Sequence, residues 1–349
     1  MKKILILHDY REQFWLTVRH RQASFIMNDL VNNFEKLGYV VTVKGFSDLD
    51  FETENYSGYY VVYQSTEDPY LLYNSYIEDI LWALQDQGAI LLPALKYNRA
   101  HHNKVFMELL RSLSDNSSIH KIKSRTFGTY EEYIKFSLSK QSFFPQVVKL
   151  AEGAQSKNVI KIDNVSECHR VKRLMWFPDI KFYLKDKIKA YLPKRYPEFK
   201  PQSSARRKIV VQNYIDHLNG DYKVLVFANK FYVLSRGNRP GDFRASGSGL
   251  FEFPADVNKN ILEFAQKVFE SFDVPFISMD LGMKDQDVYL IEFQFVAFGT
   301  YTLEKAPWHW EFIRNGNWKK ISSSDNLEYV FCAAVDEYIN RKFMVEPAQ

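Results

Sequence analysis

Two apolar runs, FISMDLG (276–282) and VYLIEFQF (288–295), flank the polar stretch KDQD (284–287), and this pattern constrains the chain most. It reads as two antiparallel strands joined by a tight turn. Asp280 closes the first strand. Glu292 and Gln294 lie two residues apart on the second, so they share one face, with Phe293 and Phe295 on the other. Three oxygen-bearing side chains on an otherwise apolar ladder suit a hard cation. Magnesium is commonly held by one or two carboxylates and completed by phosphate and water. An exposed strand face with ordinary polar residues accounts for the same spacing equally well.

Upstream, VVQNYI (210–215) reads as a strand and hinge whose backbone can pair with a purine edge. Asp221 follows the turn HLNGD, where a carboxylate can accept ribose hydroxyls. KVLVFANKFYVLSR (223–236) is a hairpin turning at Ala228–Asn229. RGNRPGDFRASGSG (236–249) then presents Arg236, Arg239 and Arg244, with Ser246 on the same side as Arg244. Guanidinium groups match phosphate and carboxylate oxygens. For Arg239 a solvated basic loop is the better reading. Further upstream, SFFPQVVKLAEGAQSKNVIKI (142–162) is strand, loop and strand. Lys149 ends the first apolar run, and AEGAQSKN (151–158) can drape backbone N–H groups over phosphates. Glu152 and Ser156 are its candidate nucleotide contacts. NKVFMELLRSL (103–113) is a helix with Lys104 in its first turn. A plain surface charge is the commoner fate of either lysine.

These elements, in this order, resemble the ATP-grasp proteins. The similarity points in particular to the carboxylate–amine ligases, among them the ribosomal-protein glutamate ligases and, more distantly, D-alanine–D-alanine ligase. It runs from about residue 1 to 300. The resemblance implies an α/β (α+β) chain with an N-terminal open α/β pre-ATP-grasp domain, a small lid subdomain and a larger antiparallel-sheet subdomain. It implies ATP and two Mg2+ ions as cofactors. Lys104 and Lys149 would contact phosphates, Gln212, Tyr214 and Ile215 adenine, and Asp221 ribose. Asp280, Glu292 and Gln294 would hold the metal ions. Arg244 and Lys149 would serve catalysis, with Arg236 and Ser246 also near the nucleotide. Three departures stand out. Gln294 replaces the usual Asn, and Arg-Ala-Ser (244–246) stands where the glutamate ligases have Arg-Ser-Asn. VAFGTYTLE (296–304) takes the place of the Pro-Gly that usually follows the metal strand, so the acceptor end stays unassigned.

The reaction so implied is attack of a carboxylate on the γ-phosphorus of ATP, then displacement of phosphate from the acyl phosphate by an amine. A kinase that stops at phosphorylation and a non-catalytic nucleotide-binding protein are the alternatives. The substrates expected are small carboxylates and amines, anionic in character: an amino acid, a sugar acid or a nucleotide sugar. Cell-surface polysaccharide or secondary metabolism is the expected setting.

Periodicity supplies the organisation. KKILILH, the helical run from Gln22 to Tyr39, VVTVKGF, SGYYVVYQS, SYIEDILWALQDQG and AILLP give β-α-β-β-α-β over residues 1–95. Residues 96–168 form the lid with its phosphate loop, 169–208 a basic helical insertion, and 209–349 the metal-bearing subdomain, ending in a helix from Asn326 to Phe343. At 349 residues, such a division is expected. No stretch of eighteen apolar residues occurs and MKKILILHDY lacks an export cleavage site, so the expected compartment is the cytoplasm. Cys168 and Cys332 show neither metal spacing nor a disulfide framework. A homodimer is the default oligomer.

The insertion carries thirteen Lys and Arg against three Asp and Glu, a net +10, so the rest of a +4 chain is at −6. Ile180, Tyr183, Leu184, Ile188, Tyr191 and Leu192 make an apolar stripe among its lysines. An anionic substrate or a membrane surface fits this composition. Against contact with a membrane surface, packing on its own domain with a solvated basic face is favoured, and attraction of an anionic substrate is preferred over both. No nucleic-acid reader motif is present, and no nucleic-acid partner is expected. Arg11, Arg19, His20 and Arg21 follow the first strand, where an anion site and a surface cluster are equally supported. Aromatics make up 16% of the chain, and those around WHW (308–310) are expected in packing rather than ligand stacking.

Overall fold

The computed structural model describes residues 2–15, 24–153, 158–176, 180–218, 220–238, 249–313 and 316–343. The chain forms two compact units. One comprises Met1–His101, Leu113–Lys121 and His217–Gln349; the other comprises His102–Ser112 and Ile122–Asp216.

The larger unit begins with β1 (Lys2–His8), α1 (Met27–Lys36), β2 (Tyr39–Gly45), β3 (Tyr60–Tyr63), α2 (Leu72–Asp86), β4 (Ile90–Leu92) and α3 (Leu95–Ala100). The four strands are parallel in the order β2-β1-β3-β4, so the expected β-α-β-β-α-β order is observed. Ile4, Leu5, Ile6 and Leu7 are fully buried, as a central parallel strand requires. Helix α1 starts later than its periodicity suggests. Ser24 Oγ accepts the Phe14 N–H and Phe25 N–H donates to the Phe14 carbonyl, which ties this stretch to the preceding loop. Helix α2 starts earlier, because the Asp68 carboxylate accepts the N–H groups of Tyr73 and Asn74.

The smaller unit holds α4 (Lys104–Ser112), β5 (Ser124–Phe127), α5 (Tyr130–Ser137), β6 (Gln146–Leu150), β7 (Val159–Ile162), α6 (His169–Met175), α7 (Ile180–Ala190) and β8 (Ile209–Asn213). Its antiparallel sheet has the order β5-β8-β6-β7. Thr129 and Glu132 form a reciprocal capping box that starts α5. Tyr133, Val148, Ile162, Val171, Met175 and Ile209 are its core. The hinge strand β8 pairs here, with both β5 and β6. In α7 the apolar stripe does not pack on its own domain. Tyr183, Leu184, Ile188, Tyr191 and Leu192 face solvent, while Asp186 is buried and accepts the Gln202 N–H.

The chain then returns to the larger unit with β9 (Gly220–Phe227), β10 (Lys230–Gly237), β11 (Phe251–Glu252), α8 (Lys259–Glu270), β12 (Phe276–Lys284), β13 (Asp287–Gln294), α9 (Tyr301–Lys305), β14 (Trp308–Ile313), β15 (Asn317–Ser322) and α10 (Leu327–Phe343). The order is β13-β12-β9-β10-β14-β15, with β11 paired to β10. The β9–β10 hairpin turns at Ala228–Asn229, with Ala228 at φ 50. Asp280 lies inside β12 rather than at its end, because the hairpin pairs on through Lys284↔Asp287; a register shift follows Asp280. Strands β14 and β15 were not read from sequence. The signal was there: Asn315–Gly316 separates them, and Gly316 has φ +78. Trp308 is half-buried and Trp310 buried, with Trp308 Nε1 donating to the Pro254 carbonyl, so this pair packs as expected.

Aromatic rings join the two sheets of this unit. Trp15 meets Phe276 at 4.9 Å, Phe298 at 5.0 Å and Phe331 of α10 at 5.1 Å between ring centroids. Such edge-on clusters bury large area with defined geometry. Cys168 and Cys332 are both buried and free. Among the described residues, no helix is long and apolar enough to cross a membrane.

Candidate active site

Strand alternation in the larger unit sets a charged row across four neighbouring strands. Asp280 on β12 lies opposite Glu292 on β13 and opposite Lys223 on β9; Asp221, two residues before Lys223, lies opposite Arg236 on β10. Lys223 Nζ is 3.0 Å from Asp280 Oδ1. Arg236 Nε donates to Asp221 Oδ1 at 2.5 Å, and Nη2 of the same guanidinium is 2.8 Å from Asp280 Oδ2. One arginine thus bridges two carboxylates from two strands. Gly220, beside this pair, has φ +152, and a Cβ there would stand 2.3 Å from the Arg236 carbonyl oxygen. Only glycine lets β9 approach β10 so closely.

The burial of this row decides its electrostatics. Burial works against the ionised form of Asp280, but Arg236 and then Lys223 outweigh it and hold the carboxyl well below the usual carboxylate range. Asp221 goes the other way: burial, then the Asp280 charge, push it up to about 6 against the pull of Arg236. Burial opposes the Arg236 charge too, yet the Asp280 and Asp221 carboxylates together raise its pKa. Two carboxylates sharing one cation are driven apart in this way.

Asp280 and Glu292 are adjacent across β12 and β13, and Gln294 is the partner of Ser278 two register positions away, on the same face. Glu292 and Gln294 are half-buried while Phe293 is buried on the opposite face, as the alternation predicts. Two carboxylates and an amide oxygen are the hard donors that magnesium takes, and Asp280 is ionised, as a ligand must be. The set fits that metal. Among the described residues, no group of three or more His, Cys, Asp and Glu side chains is placed to hold an ion.

In the smaller unit, Lys104 is fixed at both ends to the loop after β6. Its N–H donates to the Ala151 carbonyl at 2.9 Å and its Nζ to the Gly153 carbonyl at 2.7 Å. Gly153 N–H donates to His102 Nε2. Lys149, on β6 itself, is buried, and Glu152 is half-buried beside Gly153. The helix-opening lysine is therefore brought against the first residues of the candidate phosphate loop, Ala151 and Gly153. Gln212 is buried, and its Nε2 donates to Glu108 Oε1 at 2.9 Å; Arg111 lies 3.1 Å from the same oxygen. Tyr214 and Ile215 are half-buried, with Lys161 Nζ 4.5 Å from the Tyr214 ring centroid. Ser156, Arg244, Ser246, Arg239, Arg19, His20 and Arg21 lie outside the described residues. Arg11, the remaining residue of that basic group, pairs with Asp9.

Lys223, Ser278 and Glu108 were not singled out in the sequence. Lys223 and Ser278 each sit two residues from a chosen aspartate, on the same face of a strand, which is the signal that finds them. Ser278 Oγ is buried and, among the described residues, has no hydrogen-bond partner.

No family model matches the chain, and no curated protein matches it. Solved structures do. It is similar to D-cycloserine synthetase DcsG at 12% identity and a TM-score of 0.54, over 96% of this chain and 99% of that one. It is also similar to the ATP-grasp ligase PsnB complexed with a phosphomimetic variant of its minimal precursor, Mg and ADP, at 11% identity and a TM-score of 0.51, over 97% and 99%. The chain has the ATP-grasp fold. At such identities the likeness extends to the ATP-grasp architecture alone, and what this chain binds must be argued from its own residues.

Proposed function

We propose that this protein is an ATP-dependent ligase that activates a carboxylate as an acyl phosphate and joins it to an amine. The observation that carries the reading is the charged row Glu292–Asp280–Lys223–Asp221–Arg236, set on one face of a sheet in an ATP-grasp chain. Phosphoryl transfer asks for positioning and charge neutralisation more than for a covalent nucleophile. Both cysteines are buried, and the proposal needs neither.

A carboxylate oxygen attacks the γ-phosphorus, the bond to the β-phosphate oxygen breaks, and ADP leaves. The amine nitrogen then attacks the acyl carbon, and phosphate departs with the bonding pair. Lys104 and Lys149 bind phosphate oxygens; the carbonyl of Gly153 holds the Lys104 ammonium in place for this. The hinge at Gln212, Tyr214 and Ile215 takes the adenine and Asp221 the ribose. Arg244 neutralises charge on the transferred group, with Glu152, Ser156, Arg236 and Ser246 around the nucleotide. Asp280, Glu292 and Gln294 hold two magnesium ions, which when bound supply Lewis-acid neutralisation of the phosphates. Arg236 and Lys223 keep Asp280 ionised.

The reading is tested by offering carboxylate–amine pairs, amino acids and sugar acids first, and following ADP release with hydroxylamine present in place of the amine. A ligase gives ADP together with a hydroxamate of the carboxylate substrate. A stable phosphate ester or phosphoramidate, with ADP but no hydroxamate, contradicts it.

A further inference from the structure

The basic insertion presents a surface that the ligase reading does not use. In α7 and the residue pair after it, Tyr183, Leu184, Ile188, Tyr191 and Leu192 are 39 to 79% exposed. At 3.6 residues per turn they sweep one side of the helix, and Asp186, at 6% exposure, is turned to the opposite side. This is the reverse of an ordinary surface helix, which buries its apolar stripe and shows its acids. Lys181, Lys185, Lys187, Lys194 and Arg195 are exposed around the stripe. Lys187 Nζ stacks 4.7 Å from the Tyr183 ring centroid and the Arg195 guanidinium 5.7 Å from that of Tyr196. The cations thus lie along the aromatic faces rather than away from them.

We propose that this face docks on an anionic lipid bilayer surface, lying in the headgroup layer with Leu184 and Ile188 inserted. Charge complementarity carries the choice. Residues 169–208 hold a net +10 while the remainder of the chain is acidic, so an anionic sheet attracts this segment and repels the rest. Interfacial helices combine Lys and Arg with Leu and aromatic side chains on the inserted face. A bilayer needs only apolar area and charge from a convex helix, with no pocket or register. An acidic peptide would need directional partners as well as charge.

Flotation of the full-length protein with phosphatidylcholine vesicles, with and without phosphatidylglycerol, tests this. Binding is expected to the phosphatidylglycerol vesicles alone and to fall steeply with salt. Leu184→Glu combined with Ile188→Glu is expected to lower the partition coefficient by about two orders of magnitude. Both positions are exposed, so the thermal midpoint stays unchanged and the loss is not unfolding. Failure of the wild-type protein to float, equal flotation of the double variant, or binding to a polyglutamate peptide in place of vesicles overturns the proposal. None of these readouts depends on ligase activity.

Discussion

Asp280→Asn is expected to lower kcat by about three orders of magnitude while leaving the protein folded. The substitution keeps the shape of the side chain and removes its charge from the centre of the row. Asp280 is the one residue of the row that touches both cations and also faces Glu292. Losing it removes one of the two carboxylates of the proposed metal set and leaves Lys223 without the Asp280 carboxylate. The fold survives because Arg236 keeps Asp221. With the Asp280 charge gone, a main reason for the raised pKa of Asp221 goes too, and that carboxyl ionises more readily beside the guanidinium. Steady-state ADP release and a thermal melt on the same preparation measure both halves. A variant that keeps more than a tenth of wild-type turnover contradicts the assignment.

Arg236→Met is expected to cost stability instead, about 3–5 kcal/mol at pH 8, because a buried ion network loses its shared cation. The Asp221 and Asp280 carboxylates then face each other, with Lys223 paired to Asp280. The sign of the pH dependence follows from the wild type. A carboxyl raised in the folded state, such as Asp221 at about 6, contributes stability below its unfolded value near 3.8, lost as pH climbs to about 6. Asp280 behaves oppositely: its contribution is present above 3.8 and is lost as pH falls towards its depressed folded value. Removing Arg236 raises both folded values, so the variant loses stability with rising pH over a wider window. Urea unfolding at pH 5 and pH 8 should show the smaller deficit at pH 5. An equal deficit at the two values would mean that the arginine stabilises by packing alone.

The parts of this molecule set by alternation were legible in the sequence. The 276–295 hairpin, the shared face of Glu292 and Gln294, and the turn at Ala228–Asn229 all follow from a period of two and a turn. What was not legible depended on long-range partners. Nothing local says that Arg236 reaches past β9 to Asp280 on β12, or that the buried side chain of Gln212 is tied to Glu108 on α4. Helix α7 failed for a different reason. Its stripe was correctly periodic, but periodicity shows that a helix has two faces and leaves open which one turns inward. There the buried side is chosen by the hydrogen bond of Asp186 to Gln202, sixteen residues on.

The central claim is a bond made between a substrate carboxylate and the γ-phosphorus of ATP at this charged row. Once the ADP-release screen has named the carboxylate, it can be supplied with both oxygens as 18O, and the inorganic phosphate released with the amide product analysed by mass spectrometry. The account requires one labelled oxygen in each phosphate, carried over when the amine displaces it from the acyl carbon. Phosphate formed at the same rate as ADP but bearing no label would contradict it.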